Sequence, residues 1–556
     1  MKFSLFFISL LFSSIAYSQF AIEDIKTLIK GATAEELVYT WNGCIEETEY
    51  HAADLISDAL LRKNPNNKNF IYRKGLSTFY YRKNYKLALG YLKKSITNVS
   101  PKHNPESGME TKAPLEAYYY YAFCVENLGD YAEAEKYYKK FLETQVGKTT
   151  RLTKMASLKV SNTAIAAKYK ATPKKVDIRL IGDSINTVNP EYAPIISPDG
   201  STIYFTSRQN WTIDTIKEYV EEFTNLSPED VYLSLKKTET TWTKPKKMKF
   251  CQLELNEATV SMTPDERILY VYRDTKQNGD LFQIDLLASS RNLDSLNLIK
   301  IPEVNTKHYE SHIYFNEENN FAIFSSDRPG GFGGRDLYRI IKLPDGKWSK
   351  PQNMGPTINT PYEEDAPFIS IDNKNIYFSS NCEKSMGGFD IYTSVKIDDN
   401  LWSTPVNLGY PINSEQDDIY YSTTADGLKG YFSSNRLNGI GQVDIYEINY
   451  VPSDIKNNFL LTGHIQRTDK KQLNKLTDVE VSCQNCDSNK KKILRPRLRD
   501  GYFITALEPC RDYLMEVLGP NREVLYTENI STSCELNIEK IERELIVKEP
   551  SSNSKK

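Results

Sequence analysis

The chain has 556 residues, too many for one hydrophobic core, and at roughly one domain per 150 residues it divides into three or four. An apolar share of 40% and a charged share of 26% belong to a folded protein. A formal charge of −3 from intermixed signs excludes a nucleic-acid-binding field and a polybasic membrane anchor. The 37 Tyr and 23 Phe favour strands and contact surfaces, so β-rich, protein-binding architecture is expected.

Met1-Lys2 supplies a positive start, Phe3 to Ser14 an apolar core, and Ala16-Tyr17-Ser18 a small-x-small cleavage site. The pattern predicts a signal peptide over residues 1–18 and export, with Gln19 as the mature N-terminus. No later run approaches ~18 consecutive apolar residues, so no transmembrane segment is expected. The first cysteine is Cys44, so a lipoprotein anchor is not indicated. Eight cysteines in an exported chain could form four disulfides. Cys483, Cys486, Cys510 and Cys534 crowd near the C-terminus. They fit either a four-thiolate zinc site or two disulfides stapling a small sandwich, and an oxidising compartment favours the disulfides.

Residues 19–172 read as helices, with apolar residues at three- and four-residue spacing in Ala52–Leu61 and Tyr85–Ile96. A turn and a following helix occur twice, as Lys83-Asn84-Tyr85-Lys86-Leu87-Ala88-Leu89 and Gly129-Asp130-Tyr131-Ala132-Glu133-Ala134-Glu135. Ala88 and Ala134 stand where paired helices must approach closely. The pattern resembles the tetratricopeptide repeat, whose period is about 34 residues. The copies here lie 46 apart, and the polar stretch Ser100 to Lys112 supplies the surplus as an inserted loop. Tyr118-Tyr119-Tyr120-Tyr121 reads as helix-packing surface, part of which could line a peptide groove.

Residues 173–452 repeat themselves. An aromatic strand ending in a small polar step recurs as Tyr204-Phe205-Thr206-Ser207, Tyr270-Val271-Tyr272, Ile323-Phe324-Ser325-Ser326, Tyr377-Phe378-Ser379-Ser380 and Tyr431-Phe432-Ser433-Ser434. A second strand follows each, opening at Asp230, Asp280, Asp336, Asp390 and Asp444, and the last three units are 54 residues apart. Short strands at such a period predict propeller blades. A fourth strand with a trailing turn separates the units, as in Asn353 to Asn359 and Asn407 to Asn413. Its pattern appears once before the first unit, Leu180 to Asn186, and is missing after the last. An N-terminal strand completing the final blade would close the ring with five blades; a sixth is the alternative. These units resemble the WD40-like, TolB-type (PD40) propeller repeat.

Residues 453–540 carry strand-like Leu461 to Ile465, Val479 to Val481 and Tyr513 to Val517, with an Asp500-Gly501 turn. The segment resembles the carboxypeptidase-regulatory-like, transthyretin-type sandwich, and residues 541–556 read as a disordered tail. The expected fold class is thus multidomain, an α-helical repeat followed by two all-β modules. In this order the modules are similar to PorE-like envelope proteins of the Bacteroidetes, which implies association with type IX secretion and gliding. Such relatives commonly carry a lipid anchor and an OmpA-like peptidoglycan-binding domain. The sequence shows neither, so direct cell-wall anchoring is not carried over.

Glu191, Glu257, Glu310, Glu364 and Asp417 recur at the start of each blade's innermost strand. Arranged around a ring, they could converge on one channel mouth and attract a cation or a basic peptide. Sixteen to nineteen residues later stand Arg208, Arg273, Arg328, Asn381 and Arg436. Acid–arginine bridges fixing blade register are the better supported reading, and Asn381 singles out Glu364 as the acid free to face a ligand. His308 and His312 lack the helical setting and Glu spacing of a zinc motif. Gly330-Gly331-Phe332-Gly333-Gly334 lies between strands, without the helix a phosphate cradle needs, and Cys483-Gln484-Asn485-Cys486 follows a strand, where redox pairs open a helix.

No catalytic set, metal or cofactor is expected. The reading is a non-enzymatic scaffold of the periplasm or outer membrane (the cell surface as alternative), binding other envelope or secretion-system proteins. Carbohydrate binding, and after it hydrolysis, are the alternatives.

Overall fold

The computed structural model describes residues 22–548 apart from 83, 212–225, 275–278, 287–298, 301–303, 317, 319, 399–400, 452–458, 475, 487–490 and 535–538. The predicted leader and the last eight residues lie outside the described residues. The chain falls into two compact units, Met1–Val160 and Ser161–Lys556. No described helix is long and apolar enough to cross a membrane.

In the first unit, Lys68–Arg82 packs on Tyr85–Ser95, and Ala117–Asn127 on Tyr131–Thr144. The second helix of each pair starts at a side-chain cap: Asn84 accepts from the Leu87 amide at 2.9 Å and Asp130 from the Glu133 amide at 3.1 Å. Ala88 and Ala134 are fully buried, as close helix approach requires. The stretch Ser100 to Lys112 is tied down: buried Arg73 lies 4.4 Å from the Trp41 ring and donates to the Pro105 carbonyl. Tyr118, Tyr119 and Tyr121 are buried, and the Tyr120 hydroxyl lies 3.0 Å from that of Tyr80, so the tyrosine run is packing surface.

Most of the second unit is built of small antiparallel sheets in a propeller-like arrangement. Five of them begin on inner strands: Glu191–Ile196, Glu257–Met262, Glu310–Phe315, Glu364–Ile369 and Asp418–Thr423. These inner strands pack on one another in chain order, and the fifth returns to the first. Asp177–Leu180 joins the sheet of the last inner strand, pairing Asp177 with Asn449 and Leu180 with Tyr446. The recurring motifs become cores. Phe205, Phe324, Phe378 and Phe432 are buried on the second strands and stack on Tyr232, Tyr338, Tyr392 and Tyr446 at 5.7–6.1 Å. Each such ring contributes about 1.5–3 kcal/mol through burial alone.

Two further sheets close the chain. One orders Tyr502–Leu507, Phe459–Arg467 and Glu539–Val547; the other orders Lys491–Leu494, Asp478–Cys483, Asp512–Leu518 and Val524–Ser531. The tail placed from residue 541 needs correction, since Glu539–Val547 pairs parallel with Phe459–Arg467 and buries Leu545 and Val547. Alternation of apolar residues with Glu and Arg lets this charged segment serve as a one-sided strand. Disulfides join Cys483 to Cys486 and Cys510 to Cys534, while Cys44, Cys124, Cys251 and Cys382 are free.

Candidate functional site

The repeated acids do not line a channel mouth. Glu191, Glu257, Glu310 and Glu364 are fully buried, held inside the blades by side chains of their own neighbourhood. The fifth position belongs to Asp418, not Asp417. Asp418 is the residue opposite Ser434, as Glu310 is opposite Ser326 and Glu364 opposite Ser380. Side chains alternate across a strand, so a one-residue slip places Asp417 on the wrong face, where Asp417 instead accepts from the Phe389 amide at 2.9 Å.

The polar residues answering these acids occupy three different register positions. Arg328 and Arg436 come 18 residues after their acids and reach them, Arg328 Nη2 to Glu310 Oε1 at 3.0 Å and Arg436 Nη2 to Asp418 Oδ1 at 2.5 Å. Arg273 stands directly across from Glu257 and bridges it at 2.8 Å. Arg208 comes one position later and turns away, donating through Nε to the Ser227 carbonyl at 2.8 Å. Asn381 is likewise out of register with Arg328: it accepts from the Glu363 amide at 3.0 Å, and Cys382 fills the arginine position. Glu364 is therefore without an arginine but does not face a ligand. Thr360 donates to it from both backbone and hydroxyl, at 2.9 and 2.6 Å, and Ser380 adds a third bond at 2.8 Å. Burial pushes Glu191, Glu257 and Glu364 up to about 7 despite these bonds.

A clamp that the sequence reading missed explains the trailing turns. Asn186, Asn305, Asn359 and Asn413 each accept from one backbone amide of the preceding sheet and donate to the same residue's carbonyl, at 2.7–3.0 Å. Thr or Ser follows each Asn and caps the acid four residues on, as Thr187 does for Glu191. The recurring Asn-Thr/Ser-x-x-x-acid string was the available signal.

The polar cluster that does occupy the channel gathers around Asp365. Its carboxylate accepts from Ser311 Oγ at 2.6 Å and lies 3.2 Å from His312 Nδ1; Arg335 bridges it and also Glu363 at 2.7 Å. Burial alone would raise Asp365, but the Arg335 and His312 charges and these bonds hold it well below the usual carboxylate range. His312 faces the Tyr420 ring at 5.0 Å, and Tyr420 faces Tyr192 at 5.9 Å. Ala193, Ala366 and Tyr420 take left-handed backbone angles where their inner strands bulge, which re-aims side chains at this level. Asp365 was invisible as a repeat because Tyr192, Ala258, Ser311 and Ile419 hold its place elsewhere.

Beyond His312 and Tyr420 opens a cavity of about 420 Å³, walled by Tyr314, Phe368, Tyr377 and Tyr421 and rimmed by the turns at Pro198, Pro264, Asp372 and Thr424. The terminal sandwich docks on the same set of turns. Its Arg497, 5% exposed, bridges Asp199 at 2.7 Å and Glu266 at 2.5 Å, while Leu460, Tyr502, Ile504 and Ala506 pack with Ala425.

The remaining motifs stay local. His308 and His312 engage different carboxylates, Asp327 at 3.8 Å and Asp365. The glycine loop folds over Asp336, which accepts from the Phe332 and Gly333 amides, and a Cβ on Gly333 would meet the Tyr362 carbonyl.

No family model matches the chain, and no curated protein does. Three of the solved structures that resemble it are a protein assigned as TolB from Agrobacterium tumefaciens (14% identity, 60% of this chain and 97% of that one, TM-score 0.29), an endo-arabinase from Bacteroides thetaiotaomicron (14%, 47% and 93%, 0.31) and an α-L-arabinanase from Penicillium chrysogenum (10%, 48% and 97%, 0.30). The propeller-like architecture itself rests on the strand pairing above.

Proposed function

We propose that the chain is an exported, non-enzymatic interaction scaffold of the bacterial envelope, acting with type IX secretion or gliding machinery. Its modules are a tetratricopeptide-like adaptor, a five-bladed propeller and a transthyretin-type sandwich. The observation that supports this most is the expenditure of charge on rigidity: four repeated acids and Asp418 are consumed inside the blades, and Arg497 locks the sandwich to the propeller. Stiff surfaces lower the ordering cost of docking. Cross-linking in intact cells followed by purification of the tagged chain should recover outer-membrane or secretion proteins. Recovery of the chain alone, or turnover of a peptide or glycan library that one acid substitution abolishes, would defeat the proposal.

A second reading, glycan binding, is favoured by the tyrosine-walled cavity, since aromatic faces beside hydroxyl-bearing turns suit a sugar. Calorimetric titration with soluble glycans tests it: heat lost on Tyr377→Ala supports the reading, and no heat with any glycan removes it.

A further inference from the structure

We propose that Asp230, Cys251 and Glu257 form a binding site for a thiophilic divalent cation, zinc being the best match, at the junction of the first two propeller sheets. Each of these residues offers one donor atom, and the three donors lie within 4.8 Å of one another. The case begins with a departure from the repeat. At four junctions an Asn clamps the neighbouring sheet from both sides, through Asn186, Asn305, Asn359 and Asn413. At this junction the clamp is Cys251, whose Sγ accepts from the Val231 amide at 3.3 Å, in the place those Asn oxygens take, and reaches the Val231 carbonyl only at 3.9 Å. A thiol is a poor substitute for an amide that must both accept and donate.

The next element of the clamp has changed as well. Where Thr187, Thr306, Thr360 and Ser414 cap the acid with a hydroxyl, Gln252 follows Cys251 and its backbone amide alone donates to Glu257, at 3.3 Å. Two oxygens are left without a hydrogen-bond partner, Asp230 Oδ1 and Glu257 Oε2. Both residues are buried, at 5% and 0% exposure. An unpartnered buried carboxylate oxygen costs free energy, and two beside one thiol make a ready ligand set.

The remaining contacts leave the two carboxylate oxygens available, and the Cys251 thiol would release the Val231 carbonyl on losing its proton. Lys247 holds the other Asp230 oxygen at 2.6 Å, and Arg273 engages Oε1 of Glu257 at 2.8 Å. The two cations offset part of the three negative charges that an ion would gather. One thiolate with two carboxylates suits zinc, whose bonds of about 2.0–2.3 Å would draw the donors together by roughly 1 Å. On binding, the Cys251 thiol proton passes to solvent and the sulfur lone pair forms the metal bond, leaving oxidation states unchanged.

The test uses the full chain stripped with chelator, titrated with zinc chloride and in parallel with cobalt(II) as the spectroscopic probe. Cys251→Asn restores the residue the other junctions use, so it is expected to fold; Cys251→Ser serves as the second variant. The wild-type chain should bind one more zinc than either variant, melt higher with zinc present, and show thiolate-to-cobalt absorption that both variants lack. Equal zinc stoichiometry in wild type and variants, or cobalt bound without thiolate absorption, would overturn the site.

Discussion

Arg497 of the terminal sandwich sits between two propeller carboxylates, 2.7 Å from Asp199 and 2.5 Å from Glu266, with its own neighbour Asp500 completing the set at 2.7 Å. Burial raises Glu266 in spite of Arg497 and Arg499, whereas the Arg497 bonds and charge outweigh burial at Asp199 and hold it low. Removing one member of such a cluster strands the others. Arg497→Met should therefore destabilise the sandwich–propeller junction by about 3–5 kcal/mol, read as a lower urea midpoint and faster limited proteolysis. A variant that melts and cleaves like wild type would contradict this.

The same junction sets an acid limit. Asp199 and Asp500 are both lowered, in each case because bonds and charge from Arg497 outweigh burial. A carboxyl lowered in the folded state stabilises fully above its unfolded value, near pH 4 for Asp, and loses that contribution as the pH falls through its folded value. Sandwich docking, followed by tryptophan fluorescence or proteolysis, should hold from pH 7 to about 4 and weaken below it. Arg497→Met should flatten this acid limb.

Glu364 predicts the opposite sign. Its carboxyl is raised to about 7, chiefly by burial, so it remains protonated in the folded state while the unfolded chain ionises near pH 4. Stability from this residue is complete at acid pH and falls by roughly 3–4 kcal/mol as the pH rises to 8. Gln keeps an oxygen for the Thr360 amide and offers protons to the Thr360 and Ser380 hydroxyls. Glu364→Gln should thus be neutral at pH 5 and stabilising at pH 8. Glu310→Gln should cost about 1–3 kcal/mol at pH 8, because the half-buried Arg328 loses its acid while keeping its bonds to Ser326 Oγ and the Val304 carbonyl. Chemical denaturation of both variants at the two pH values distinguishes them.

The contrast between those glutamates shows what the sequence made legible. Blade cores could be read, because each Phe-x-Ser step and each Asp-x-Tyr step buries its aromatic at the same place in four of the five sheets. The acids could be read at four positions. The fifth slipped by one because Asp417 and Asp418 are adjacent, and only pairing with Ser434 tells them apart. The arginines share a rough spacing but not a register, and side-chain direction changes with every residue along a strand. Asp365 and Arg497 act through residues distant in sequence, His312 and Asp199 among them, and carry no periodic signal.

The strand Asp177–Leu180 joins the last sheet, Asp177 meeting Asn449 at a sequence separation of 272, and Arg179 pairs there with buried Glu447 at 2.5 Å. The strand beside it, Asp444–Asn449, would otherwise present unpaired backbone groups at a sheet edge, a template for association with other chains. Arg179 stands in a hydrogen-bonded pair with Glu447, so Arg179→Pro removes one donor from this ladder and strains its neighbours, a cost of about 3 kcal/mol or more by analogy with other interior prolines. Because the ladder also holds the first and last sheets together, the loss should appear in the whole second unit. The expected result is a lower, broader thermal transition and concentration-dependent light scattering on warming. Arg179→Met leaves the ladder intact while removing the nearer of the two cations beside buried Glu447, Lys429 remaining at 3.9 Å, so it should lower the transition without the scattering. Scattering from both variants, or from neither, would show that closure of the last sheet does not protect its edge.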